Sequence, residues 1–117
     1  MSTLNSVIPS VPVSDMDAAL KFYTEKLGFK LSFINGKFYA ILARDGVELG
    51  LCPVSYHKGI PGKNGMYLKV AGVDALYAEI VAKGVTVLHP LKTENYGMRE
   101  FMIADLDGNT INYGEPC

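Results

Sequence analysis

Two stretches of this chain, VSDMDAALKFYTEK at 13–26 and VAGVDALYAEIVAK at 70–83, lie over one another without a gap. Val13 falls on Val70, Asp17 on Asp74, Ala18 on Ala75 and Lys26 on Lys83, and a glycine (Gly28, Gly84) follows at nearly the same place. A repeated helix in a chain of 117 residues constrains the fold strongly, because the segments around it must repeat too. In the first half, residues 6–13 alternate weakly and read as a strand that Pro9 and Pro12 confine to an edge. A helix is predicted over 15–27, with Met16, Leu20, Tyr23 and Leu27 on one face, Ser14 as its cap, Asp17 as a capping-box acid and Gly28 as its left-handed stop. Three strands follow, to about 34, 38–43 and 47–52, joined by the two-residue turn signals Asn35-Gly36 and Asp45-Gly46.

The second half repeats the order. A strand at 66–70 and a helix at 74–83 precede a strand at 85–89, and a last hairpin turns at Asp107-Gly108-Asn109. The expected fold class is therefore α+β, two βαβββ modules at about 6–52 and 65–115 within one domain spanning 1–117. The intervening 53–64 is rich in Gly, Pro and Lys and reads as a linker. Its glycines, with Gly65, precede a strand and not a helix N-terminus, so they do not form a phosphate cradle.

Composition excludes several classes. A net charge of −1 argues against general nucleic-acid binding, which needs a basic excess. Cys52 and Cys117 lie far apart with no CxxC or Cys/His spacing, so a cysteine-built zinc site is not expected. The N-terminal MSTLNSVIPS has neither a basic region nor a long apolar run, so neither secretion nor membrane anchoring is expected and a cytoplasmic location is. His57 in the linker and His89 before a proline read as surface residues.

The pieces VPVSDMDAALKFYTEKLGF, VAGVDALYAEIVAKGV and YGMREFMIADLDGN resemble the vicinal oxygen chelate superfamily, which includes glyoxalases, bleomycin-resistance proteins, fosfomycin thiol transferases and extradiol dioxygenases. The resemblance runs from about Ser6 to Glu115. It implies that the two modules form a cup-shaped, mostly antiparallel eight-stranded sheet, with helices outside and a ligand inside. In metal-dependent relatives four strands each give the cup one ligand. Those positions fall here on Ile8, Glu48, Gly65 or Met66, and Asn112, so one potential ligand in four survives. A divalent ion needs three or four converging N or O donors, so no metal and no other cofactor is expected.

This pattern of losses resembles the bleomycin-resistance branch, in which the fold sequesters a drug. The implied partners are a small molecule, flat and aromatic or a glycopeptide, and a second copy of the chain in a homodimer, with neither nucleic acid nor membrane. The chain departs from that branch in having no Trp and little net charge.

Period-2 alternation assigns residues to the cup. In the final strand Ile111 and Tyr113 face the core, so Thr110, Asn112 and Gly114 face the cup. Phe22, Tyr23, Tyr77, Phe101 and Ile103 are expected in the core. Tyr67 and Lys69 share the cup parity of their strand, and Met98, Glu100 and Met102 take the parity opposite Phe101. These methionines either wall a ligand site or fill a smaller, collapsed cup. Ile8, Phe38, Glu48, Tyr67, Lys69, Tyr96, Met98, Glu100, Met102 and Asn112 are the candidate ligand-binding residues. Glu48 is also the one candidate catalytic residue, as a carboxylate in a partly apolar cup can act as a general base. Lys69 or Arg99 would be its electrophilic partner, and as a fixed anchor it would instead be held by donors such as Asn112 and Tyr67. No nucleophile–base pair is recognisable. Drug or metabolite sequestration is thus the preferred function, with a glyoxalase-like lyase, isomerase or dioxygenase using Glu48 as the alternative.

Overall fold

Pro9 has no N–H to donate, while its carbonyl accepts the Gly50 amide at 2.8 Å. In the computed structural model, which describes residues 1–117, strand β1 accordingly covers only Ser10–Val13, shorter than the expected 6–13. It runs parallel to β4 (Val47–Pro53) at the edge of its sheet, where Pro12 is tolerated. Helix α1 (Met16–Glu25) is capped by Asp15, whose carboxylate accepts the Ala18 amide at 3.1 Å. Ser14, the expected cap, instead donates its hydroxyl to Asp107. Beyond the helix, Gly28 at φ +75° lets the Phe29 amide reach the Tyr23 carbonyl at 3.0 Å, as a left-handed stop should.

Strands β2 (Lys30–Asn35) and β3 (Tyr39–Arg44) pair antiparallel, with Asn35 opposite Tyr39. The loop is therefore Gly36-Lys37-Phe38, longer than the expected two-residue turn, and Phe38 lies in it and not in a strand. Its Lys37 ammonium sits 3.2 Å from Asp17 of α1. The next turn matches its signal: Arg44 opposes Val47, with Asp45 and Gly46 both at positive φ, the geometry that suits the twist of a two-residue hairpin.

Within the linker, Val54–His57 makes one helical turn, α2. The second module then repeats the first: β5 (Gly65–Lys69), α3 (Val73–Ala82), β6 (Val87–Thr93), β7 (Met98–Ala104) and β8 (Thr110–Pro116). Strand β6 does not stop at His89. It continues through Pro90 on the sheet edge, and its register shifts on either side of His89, since Pro90 cannot donate to the ladder. The sheet orders are β1-β4-β3-β2 and β5-β8-β7-β6, the same order in both modules. No helix is long and apolar enough to cross a membrane.

One apolar core joins the modules. Tyr23, Leu27, Leu42, Leu49 and Leu51 of the first pack in the same cluster as Ile80, Phe101, Ile103 and Ile111 of the second. The helices meet at their ends, where Lys26 Nζ donates to the Lys83 carbonyl and Lys83 Nζ to that of Glu25. The edge strands β1 and β5 flank a gap of about 30 Å³. The short helix α2 packs against β1 and β4 of the first sheet, while α3 packs against β6, β7 and β8 of the second.

The seam is closed by the turn before β8. Asp105, 7% exposed, accepts the Tyr23 hydroxyl at 2.7 Å, the Asn109 side-chain amide at 3.0 Å, and the backbone amides of Asp107 and Asn109 at 2.9 Å each. Asn109 also donates to the Pro12 carbonyl and accepts the Gly62 amide. Burial first, and then the Asp105 charge, push the Tyr23 phenol far above its ordinary pKa. Every polar group in this knot has a partner, which makes its burial tolerable.

Candidate functional site

Leu49 and Leu51 pack in the core cluster, so Glu48, Gly50 and Cys52 point to the other face of the first sheet. Opposite them on β3, Ala40 and Leu42 are buried and Tyr39 and Ile41 share that outer face. In the second sheet, the burial of Phe101, Ile103, Ile111 and Tyr113 leaves Met98, Glu100, Met102, Thr110 and Asn112 on the corresponding face. Tyr67 is registered with Asn112, and Asn112 with Met102.

Glycine shapes both floors. A Cβ on Gly50 would lie 2.7 Å from the Tyr39 hydroxyl, and one on Gly114 would overlap that of Tyr67. Each sheet thus lays one tyrosine ring across a neighbouring strand, where any larger residue would lift it. Tyr39 was not singled out from sequence; the available signal was a glycine at cup parity in both β4 and β8.

Polar chemistry is concentrated on the second sheet. Tyr67 donates to Glu100 Oε2 at 2.6 Å, and Tyr96, from the β6–β7 turn, donates to Oε1 of the same carboxylate. Burial of its hydroxyl, followed by the bond to Glu100, pushes Tyr67 up to about 12. For Tyr96 the bond to Glu100 is the larger cause of a rise to about 12. Both phenols therefore remain neutral donors, with Met98 and Met102 beside the carboxylate on β7. Tyr67 serves Glu100 and not Glu48. On the first sheet burial raises Tyr39 and Cys52, with no ion pair there.

The candidate residues are thus not all assembled together. Tyr67, Tyr96, Met98, Glu100, Met102 and Asn112 share the face of the second sheet. Glu48 is half-buried on the first, opposite Ala43, with no side-chain hydrogen bond to another residue. Ile8 is half-buried ahead of β1, and Phe38 is 63% exposed in its turn. Lys69 is exposed at the end of β5, where it borders a cleft between the modules. Arg99 cannot partner Glu48: it faces the helices, bonded through Nε and Nη2 to Asp74 and through Nη1 to Thr93.

The donor set does not fit a divalent ion. Of the four cup positions only Glu48 and Asn112 carry oxygen, and no three His, Cys, Asp or Glu side chains converge to hold a metal. The arrangement offers a carboxylate clamped by two phenols, thioether walls and aromatic floors.

The sequence profile of the Glyoxalase/Bleomycin resistance protein/Dioxygenase superfamily matches residues 3–113. A bleomycin resistance protein of Geobacillus stearothermophilus is 30% identical over 125 residues, covering 91% of this chain and 92% of its own. The crystal structure of TnmS3, an antibiotic binding protein from Streptomyces sp. CB03234, is 32% identical with a TM-score of 0.84, covering 100% of this chain and 99% of that one. A bleomycin-binding protein from Streptomyces verticillus, solved with copper(II)-bleomycin, has a TM-score of 0.80 at 23% identity, covering 97% of each chain, a likeness of fold alone.

Proposed function

Since the chain belongs to the glyoxalase/bleomycin resistance protein/dioxygenase superfamily, we propose that it binds a small antibiotic or metabolite on its concave face, without metal chemistry and as a homodimer. The observation that carries this reading is Glu100, held by Tyr67 and Tyr96 between Met98 and Met102. Ligand sites combine apolar walls with a few fixed polar groups, and methionine adapts to flat or irregular surfaces. The bleomycin resistance protein and the antibiotic-binding TnmS3 among its relatives support an antibiotic-like small molecule as ligand. Glu100, whose oxygens accept, suits a ligand that presents N–H donors or a cationic amine.

The dimer reading is supported by apolar side chains left at the first sheet's edge, Leu31, Phe33, Ile34 and Phe38, all above 40% exposed. Light scattering at micromolar concentration tests it, and a monomer there counts against it.

Calorimetric titration with a bleomycin-type glycopeptide, after a thermal-shift screen of other flat-ring antibiotics, tests the site. Glu100→Gln should weaken the best ligand about tenfold or more, the loss of a charged hydrogen bond, while Glu48→Gln leaves it close to wild type. A catalytic reading is favoured only by the unpartnered Glu48. It requires turnover that Glu48→Gln removes while ligand affinity is kept. Elemental analysis showing one divalent ion per chain after dialysis would sink the metal-free reading.

A further inference from the structure

A well-formed concavity also lies away from the face that carries Glu100. It is a cleft of about 530 Å³ on the helix side, between the β3–β4 turn and α3, within the size range that holds drug-sized ligands. Phe29, Val47, Leu68 and Leu76 make its wall mainly apolar. Tyr113 enters the same wall from β8. It is 4% exposed, and its hydroxyl is buried without any hydrogen-bond partner.

A buried hydroxyl without a partner is uncommon and calls for an explanation. Packing alone does not give one, since phenylalanine would fill the same space. The ring is stacked on Phe101 at 5.0 Å, and Phe101 in turn meets Tyr77 edge-on at 4.9 Å, so the hydroxyl is held in place. Arg44 and Glu79, whose charges act on it, border the same cleft. Burial raises its pKa above the ordinary value, leaving a neutral O–H that donates.

Four charged residues border the cleft, Arg44, Asp45, Lys69 and Glu79. Arg44 Nη1 and Nη2 donate to the two Glu79 oxygens at 3.0 and 3.2 Å, and Nη1 also donates to the Leu27 carbonyl at 2.8 Å. With two charges of each sign in the lining, the wall carries no net charge to select an ion.

We propose that this cleft is a second binding site, separate from the concave face, for a neutral, largely apolar small molecule that presents a carbonyl or ether oxygen to the Tyr113 hydroxyl. The two sites lie back to back on β8, where Asn112 faces one and Tyr113 the other.

Benzophenone, a neutral two-ring ketone, is the test compound, titrated into the full chain and followed by amide NMR shifts. Saturable binding is expected, with shifts at Leu68, Val70, Leu76 and Tyr113. Tyr113→Phe should weaken it about threefold to tenfold, the loss of one neutral hydrogen bond. Ala75→Trp, which fills the cleft from an exposed position, should abolish binding and decides the matter should Tyr113→Phe fail to fold. Glu100→Gln should change nothing, which separates this site from the concave face. No saturation up to the solubility limit, full affinity in Ala75→Trp or in folded Tyr113→Phe, or shifts confined to Met102 and Asn112 would each overturn the proposal.

Discussion

The two modules share one strand order and helices of equal length, yet they are held by contacts of different range. In the first, α1 is capped from within by Asp15, three residues before the amide it accepts. In the second, α3 begins at Gly72 and is capped by Glu115 of β8, which accepts the Gly72 and Val73 amides at 3.0 Å each. The acid in each first helical turn, Asp17 or Asp74, also meets a cation near the following hairpin. Lys37 makes a single contact with Asp17, with both side chains more than 70% exposed. Arg99 grips Asp74 through two nitrogens and Thr93 through a third. The same architecture is thus secured locally in one copy and through its last sheet in the other, the sheet that also carries the Glu100 cluster.

The largest effect should come from cutting the contact that the second module lends to the first. Asp105→Ala strands the Tyr23 hydroxyl and the Asn109 side chain inside the protein. It should cost about 3–4 kcal/mol, as loss of a multiply bonded buried acceptor does, read from the urea midpoint. A cost near that of a surface mutation would show that the modules do not depend on this knot.

The concave faces differ in their phenols. Tyr67 and Tyr96 have raised folded values, so the stability of their bonds to Glu100 is fully present below the ordinary value of 10 and lost as pH rises through about 12. In Glu100→Gln, tyrosinate absorbance should develop at lower pH for these two, while Tyr39, raised chiefly by burial and not by Glu100, should not follow. Identical titration curves for wild type and Glu100→Gln would remove the distinction between the sheets.

The caps give the next comparison. Asp15→Ala should cost about 1 kcal/mol, the usual worth of such a cap. The bonds from Val73 and Gly72 hold Glu115 below its ordinary 4.5, so its contribution is present above that value and fades as pH falls through the depressed one. Glu115→Gln should flatten the acid limb of the stability curve. Smallest of all, Lys37→Ala should change stability by no more than about 0.5 kcal/mol, as for other exposed pairs. Arg99→Ala should lose visibly more in the same thermal melt.

This difference in range also explains what could be read from sequence. The repeat, the order of elements along the chain and the buried faces of β7 and β8 were legible because periodicity and the Asp45-Gly46 turn are local signals. Asp15 in place of Ser14 was a shift of one residue, decided by Asp107, ninety-three positions away. The third loop residue at Phe38 and the passage of β6 through Pro90 likewise depend on pairing partners. Parity placed Tyr67 and Glu100 on one face, but their bond joins residues 33 apart in sequence. The Tyr113 hydroxyl resembles any core tyrosine until its surroundings are known.

The arrangement of the ladders has one more consequence. Each sheet closes its hydrogen bonds inside its own half, and the halves are joined by side chains, loop amides and the single strap 54–64. Two copies that traded halves would break no strand pair; they would remake the shared core and the bonds of Asp105, Asn109, Arg44 and Lys26 with the other copy's residues. Exchange of this kind is a low-cost route to a dimer. The strap, with its one-turn helix at Val54–His57, is then the segment whose length and stiffness govern whether a chain closes on itself or on its twin.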